Sequence, residues 1–370
     1  METLMENEII ETDEDTKDVD PYDASLYPYP SDFDIDDIEI DVREVPFTVY
    51  ELVRHYRKNR LIIDPEFQRN RVWDLKQMSW FVESIILNIP LPQLFLNQDK
   101  KGKYIVVDGL QRITTIYDFL NDNFALQDLE ALPWLNGKRF SDLKDLRSRI
   151  EDRKLPSYVI RPSVPLKMIY DIFKRINTGG TQLSRQEIRN CIFLGKSTRL
   201  LHESASMECF KKAIGYGIGN KRMKDREAVL RCITFQVLDY EKEYNNDMDE
   251  FLGHAMKKIN LEMDDQEVKC LKDDFRRVMD WTFDFFGQRN FRIPTYSSRG
   301  RINIAVMESV SYFFYSKDDD YLKEHKEKII SNFNLLVRDP EYLNAVKVST
   351  GDRKRVVARF AIANKILGDV

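Results

Sequence analysis

The chain reads as an α+β protein, a mixed strand-and-helix region followed by an all-helical one. Three observations predict this. Residues 93–96 and 104–107 are short apolar runs either side of Lys100-Lys101-Gly102, the signature of a hairpin. Leu75, Met78, Phe81, Val82, Ile85 and Ile86 recur at helical spacing. From Ser184 to Val370, helical patterns follow one another with almost no strand alternation.

The elements follow in order. A regular pattern begins near Val45, and Phe47-Thr48-Val49 leads into a short helix ending near Lys58. Leu61-Ile62-Ile63 is a brief strand, and Asp64-Pro65 opens an irregular stretch. Asp74, with Gln77 three residues on, is a capping box that starts the helix carrying Leu75 to Ile86. The strand 104–107 runs into Asp108-Gly109, and a helix follows with Ile113, Ile116, Tyr117 and Leu120 inward. Tyr158-Val159-Ile160 is a further strand. Pro165 opens a helix that stops at Asn177-Thr178-Gly179-Gly180, and Ser184 with Glu187 forms a second capping box. These readings divide the chain into a leader (1–44), a mixed domain (45–195) and a helical domain (196–370).

Composition sets the background. The 370 residues are room for two domains, and 42% hydrophobic residues suffice for real cores. The four cysteines, Cys191, Cys209, Cys232 and Cys270, form no Cys-x-x-Cys pair, so a reduced cytoplasmic setting is expected rather than a disulfide framework or zinc knuckle. No basic-then-apolar leader and no long apolar run appear, so neither a secretory signal nor a membrane helix is expected. The net charge of -5 hides an asymmetry. Residues 1–44 hold 17 acids and 2 bases; the remainder holds 45 acids and 55 bases, a net of +10. The leader reads as mostly disordered. The basic body favours phosphate-bearing partners, and the acidic leader is either solvated or able to compete with nucleic acid for that body.

Four stretches carry candidate chemistry. In the strand-turn-helix at 104–120, Gly109 permits a sharp turn, and the helix start presents N–H groups and a partial positive charge, a natural anion site. Arg112 supplies a fork that matches phosphate oxygens, Asp108 is placed to hold Mg2+ or a water, and Gln111 to orient a phosphate, base or attacking water. The structural alternative makes Asp108 the N-cap and pairs Arg112 with a carboxylate. The second stretch is Phe67-Gln68-Arg69-Asn70-Arg71 with Trp73: Gln68 and Arg69 are phosphate-site candidates and Arg71 a nucleic-acid contact, whereas Phe67 and Trp73 read as core residues. The third, Phe173 to Gly180 followed by Leu183 to Asn190, offers Arg175, Asn177 and Thr178 to a ribose or phosphate, while Glu187 is simply the partner of Ser184. The fourth, Gly215 to Arg222, has no preceding buried strand and no Gly-Lys-Ser/Thr ending, so it is neither a Walker site nor a Rossmann fingerprint. Its Lys221 and Arg222, and Arg299 and Arg301 near Gly300, read as basic loop residues within reach of a nucleic-acid backbone. None of His55, His202, His254 and His325 has metal-like spacing, and no Gly-x-Ser-x-Gly elbow occurs.

The first three stretches, in this order, resemble the N-terminal domain family of the GmrSD type IV, modification-dependent restriction enzymes. The matching residues are Pro65 to Arg69 with Val72-Trp73, then Val106 to Arg112, then Phe173 to Gly180 through Gln186-Glu187-Ile188-Arg189-Asn190. The resemblance covers roughly residues 45–240. It implies a ParB- and sulfiredoxin-like core, a site that binds or hydrolyses a nucleoside triphosphate (NTP) at the Asp-Gly-Gln-Gln-Arg motif, and a place in bacterial defence against phage. Two departures matter. Leu110 stands where the family commonly has its first Gln, which weakens the expectation of hydrolysis more than that of binding. The C-terminal half lacks a recognisable His-Asn-His nuclease arrangement, so a self-contained nuclease is not expected. The resulting expectation is an NTP-binding sensor or regulator, with a nucleotide, DNA, a separate nuclease or defence subunit, or a second copy of the chain as partners. The alternatives are a non-enzymatic DNA-binding module with an autoinhibitory acidic tail, and a nuclease with an unrecognised site.

Overall fold

The computed structural model describes residues 41–63, 73–99, 101–161, 164, 168–169, 172, 184–294 and 300–370. The leader up to residue 40, Gln68, Arg69, Arg71, Arg175, Asn177, Thr178 and Arg299 lie outside the described residues, as does most of the helix expected from Pro165.

The N-terminal part is mixed. Its elements are β1 (Val42–Glu44), β2 (Phe47–Thr48), α1 (Val49–Arg57), β3 (Leu61–Ile62), α2 (Leu75–Ile86), β4 (Leu94–Gln98), β5 (Tyr104–Asp108), α3 (Leu110–Leu120), α4 (Arg147–Glu151), β6 (Lys154–Leu155), β7 (Ser157–Ile160) and α5 (Arg185–Ile192). One sheet has the order β1-β7-β4-β5-β3, and β2 pairs with β6 separately. The expected hairpin is the antiparallel β4–β5 pair, whereas β3 joins β5, and β7 joins β4, in parallel. The strand β1 lies inside the stretch that composition assigns to the acidic leader. It pairs antiparallel with β7, Val42 opposite Ile160, because Val42 has an apolar cluster to cover while Asp41 meets Arg43 and Arg161.

Local sequence explains where the helices begin. Asp74 accepts from the Gln77 amide at 2.7 Å, and Gln77 returns a bond to the Asp74 N–H, so two orphan donors of α2 are satisfied together. Thr48 and Glu51 do the same for α1, a box not anticipated above. On α2, Phe81, Val82, Ile85 and Ile86 are buried as expected. Leu75 is instead exposed, because it occupies the first turn, beyond the edge of the core.

The remainder is helical: α6 (Lys196–Ser206), α7 (Glu208–Ala213), α8 (Lys224–Val237), α9 (Tyr240–Glu243), α10 (Met248–Leu261), α11 (Asp265–Phe286), α12 (Ile304–Tyr315), α13 (Asp319–Glu324), α14 (Lys326–Leu336), α15 (Pro340–Lys347) and α16 (Arg353–Leu367). Strand-like pairing among the described residues here is an isolated bridge between Arg292 and Ile302. One apolar core gathers Val49, Leu96, Ile113 and Phe119 of the mixed part, and a second gathers Phe235, Phe275, Phe314 and Phe360 of the helical part. A small third cluster contains Ile160 and Ile188, with Val107 against it.

Ion pairs buried at helix junctions were invisible in the sequence. Glu308 on α12 is fully buried between Arg231 of α8 and Arg359 of α16; Arg359 Nη2 donates to Glu308 Oε2 at 2.5 Å. Arg189 of α5, also fully buried, bonds Asp249 of α10 and lies 3.2 Å from Glu227 of α8; Arg185 shares Asp249. The second group fastens α5 to the helical part. Among the described residues no helix is long and apolar enough to cross a membrane.

Candidate functional site

The site is built at the end of β5. The β4–β5 ladder pairs Leu96 with Val106 and Phe95 with Asp108, so Val107 is an extra residue on β5. A bulge of this kind breaks the alternation of side chains and re-aims the next one, which here is Asp108. Val107, left unpaired, packs instead towards the Ile160–Ile188 cluster.

Gly109 then makes a turn only glycine tolerates, for two reasons. Its φ is +101°, and a Cβ there would sit 2.2 Å from Leu94 Cδ2. Gly109, not Asp108, is therefore the N-cap of α3, and among the described residues no side chain caps this helix. The start of α3 carries its partial positive charge without a carboxylate or hydroxyl laid across it.

Arg112 is buried rather than held out to solvent. Nη2 donates to Asp108 Oδ2 at 2.8 Å, and Nη1 donates to the carbonyls of Pro92 at 2.5 Å and Gln93 at 2.9 Å. Burial pulls its pKa below the usual guanidinium value, and the Asp108 carboxylate opposes that pull. The arrangement matches the structural alternative for Arg112 but not for Asp108: the arginine is paired, and its partner is the motif's own aspartate. The Asp108 side chain keeps 41% of its surface exposed. No other group among the described residues bonds its carboxylate.

Gln111 faces the other way along the first turn of α3. Its Oε1 accepts from the backbone N–H of Trp73 at 3.2 Å. Trp73 packs edge-on against Phe81 at 5.4 Å, as expected of a core residue. The end of the second stretch is thus tied to the first. Of the third stretch, the described part from Ser184 on forms α5, which packs against β5, and Ser184 and Glu187 form the capping box read from the sequence. Ser184 also donates to the Arg222 carbonyl at 2.8 Å, which anchors the 215–222 loop at the start of α5. The described ends of the three stretches, Trp73, the 108–112 turn and α5, therefore meet at β5 and the first turn of α3.

The basic loops are organised by Arg292, which donates to the Gly300 carbonyl at 2.5 Å and the Ile214 carbonyl at 2.9 Å. That joins the loop leading to Lys221 and Arg222 with the one bearing Arg301, and all three of these side chains lie on exposed residues. Both Arg222 and Met223 have positive φ, so this turn is more constrained than its glycine content suggests. Among the described residues no group of three or more His, Cys, Asp or Glu is placed to hold a metal.

With this geometry in place, comparison with known proteins is informative. Residues 49–194 match the family described as GmrSD restriction endonuclease, N-terminal domain. A GmrSD-type restriction domain is therefore present from α1 through α5, and the match stops where the helical part begins. No curated protein and no solved structure matches the chain.

Proposed function

We propose that this chain binds a nucleoside triphosphate at the start of α3 and acts as the nucleotide-dependent sensor or regulatory part of a bacterial anti-phage restriction system. The observation that carries the proposal is the uncapped helix start at Gly109, directly after Asp108, within a GmrSD-type domain. Such a helix end offers N–H donors and a favourable field to phosphate. Arg112 lends its charge from below and fixes Asp108, since its own hydrogen bonds are spent on Asp108, Pro92 and Gln93. Gln68 and Arg69 before Trp73, and Arg175, Asn177 and Thr178 before α5, are assigned to the phosphates and ribose by their places in the family's motifs. The mixed sheet is assigned a ParB- and sulfiredoxin-like core on the same ground.

Mg2+ fits as a companion of the nucleotide. The cation commonly takes one or two carboxylates and fills its shell with phosphate and water, and Asp108 is one carboxylate with an oxygen left over. When bound, it would neutralise charge on the phosphates. Binding comes first in this proposal and hydrolysis is slow, because Leu110 replaces a family glutamine. Asp108 and Gln111 are the residues assigned to turnover.

The test is calorimetry of the full chain with ATP, GTP, CTP and UTP, with and without Mg2+, followed by phosphate release with and without DNA. Asp108→Asn should weaken Mg2+-dependent binding while the protein stays folded. If no triphosphate binds, or Asp108→Asn binds all of them normally, the proposal fails.

A second reading has its own observation. The Arg292 clamp brings the loops of Lys221, Arg222 and Arg301 together on a body whose net charge is +10 beyond the leader. That favours a DNA-binding module, whose affinity should fall steeply with salt and rise when residues 1–40 are removed. Salt-independent binding, or none in either form, rules it out.

A further inference from the structure

The helical part contains a cavity of about 540 Å³ that the restriction-domain match does not reach. It lies between the last turn of α8, the turn through α9, Lys258 on α10 and the last turn of α12. We propose that this cavity binds a small polyamine.

Four observations converge on a cationic ligand. First, α8 ends at the cavity, at Val237, so a helix C-terminus turns its negative end on it. The site already attracts one ammonium, since Lys258 Nζ donates to the Val237 carbonyl at 3.1 Å. Second, the lining carries the carboxylates of Asp239, Glu241 and Glu243 against the single charge of Lys258. Some of this charge is engaged elsewhere. Lys242 lies 2.6 Å from Asp239, and His254 lies 3.5 Å from Glu243. Glu241 is left as the carboxylate paired with no cation among the described residues.

Third, Tyr240 and Tyr312 meet edge-on at 5.7 Å on the wall, and Tyr315 stands beside them. Aromatic faces next to carboxylates hold alkylammonium groups through both ring and charge. Burial, and then the facing Asp239 and Glu241, push the Tyr312 phenol up. Fourth, Gln236 is among the lining residues, and its Oε1 and Nε2 are buried with no hydrogen-bond partner among the described residues. An orphaned buried amide is costly, and a ligand N–H that reached it through a small side-chain rearrangement would relieve that cost. The volume suits a small molecule rather than a folded partner. Three carboxylates along the lining, with one helix C-terminus beside them, favour more than one ammonium on the same ligand.

The experiment is calorimetry and thermal melting of the full chain with spermidine, with methylamine and Mg2+ as controls at equal ionic strength. Saturable one-to-one binding of spermidine is expected, weakened about tenfold in Glu241→Gln, which removes one exposed charge. Gln236→Leu should raise the melting temperature of the free protein yet reduce the rise produced by spermidine, a pair of shifts that a merely structural glutamine would not give. The acidic leader also collects cations, so it supplies the counter-result: binding that is unchanged in both variants, or matched by Mg2+, overturns the proposal, as does no binding at low salt.

Discussion

Arg112 Nη2 donates to Asp108 Oδ2 at 2.8 Å, one helical turn back along the chain, across the turn made by Gly109. The same guanidinium holds the carbonyls of Pro92 and Gln93, which precede β4. One side chain therefore fixes the aspartate and the entry to the neighbouring strand together. Arg112→Ala should destabilise the protein by about 2–4 kcal/mol, because a buried side chain loses its packing and all three of these hydrogen bonds together. Asp108→Asn should cost less than about 1.5 kcal/mol, since the amide oxygen still accepts and the side chain is half in solvent. Urea unfolding of the two variants checks the order, and equal costs would mean that Arg112 acts only through its aspartate.

Gly109 gives a second, separable prediction. Alanine there meets both an unfavourable φ and the Leu94 methyl, so Gly109→Ala should cost about 2–4 kcal/mol. Leu94→Ala makes room for the new Cβ but leaves the φ strain. The double variant should therefore be less destabilised than the sum of the singles by about 1 kcal/mol or more, read from the same unfolding curves. Strict additivity would show that backbone strain alone makes glycine necessary.

These two cases mark what could be read from the sequence. The Asp74–Gln77 and Ser184–Glu187 boxes were legible because both partners lie within one turn. The β4–β5 hairpin was legible because its strands are joined by a short turn. The role of Gly109 followed from its place between strand and helix. Arg112 was read as a phosphate fork because its carbonyl partners lie 19 and 20 residues earlier and carry no side-chain signal. The pairing of β2 with β6 joins Phe47 to Leu155, two-residue strands too short to show alternation. The buried partners of Arg189 and Arg231 are likewise distant in the chain, and on helical spacing alone an arginine looks like a solvated residue.

His55 supplies the pH dependence. Its ring packs edge-on against Phe47 at 5.9 Å and Tyr104 at 5.5 Å. Burial, with Arg60 next in effect, lowers its pKa from 6.5. A lowered folded-state value means the unfolded chain takes up the proton first. The contribution of neutral His55 is then complete above about pH 6.5 and is lost as the pH falls through the folded value. His55→Gln should flatten the fall in stability just below pH 6.5. Glu51, whose pKa is lowered by the Thr48 amide, acts only at more acid pH, below about 4.5, so the two are resolved by the window in which each slope appears. An unchanged slope in His55→Gln would assign it to other groups.

The junction between the two parts of the chain rests on Asp249, which receives both Arg185 and Arg189 of α5. Asp249→Asn should leave the fully buried Arg189 with Glu227 as its carboxylate partner among the described residues and cost about 3 kcal/mol. Because α5 also packs against β5, amide exchange in β5 should accelerate more than in α16, which lies in the other core. Equal acceleration in both would mean a global loss of stability rather than a loosened junction.

The Arg231–Glu308–Arg359 group tests whether buried charge stabilises the helical part or only selects its packing. Removing Glu308 as Glu308→Gln leaves two buried guanidinium groups facing a neutral amide, and should cost about 3–5 kcal/mol. Replacing the three together by apolar residues of similar volume removes the desolvation penalty along with the attraction. Such a triple variant should recover most of that loss, and the group then acts mainly in choosing how α8, α12 and α16 pack. Arg359 has a further tie, Nη1 donating to the Thr350 carbonyl at 2.6 Å, so methionine at 359 also frees the segment before α16. Thermal unfolding should therefore show the triple variant close to the native protein in stability, with faster amide exchange confined to the start of α16. A triple variant as unstable as Glu308→Gln would show that the ion pairs are net stabilising here.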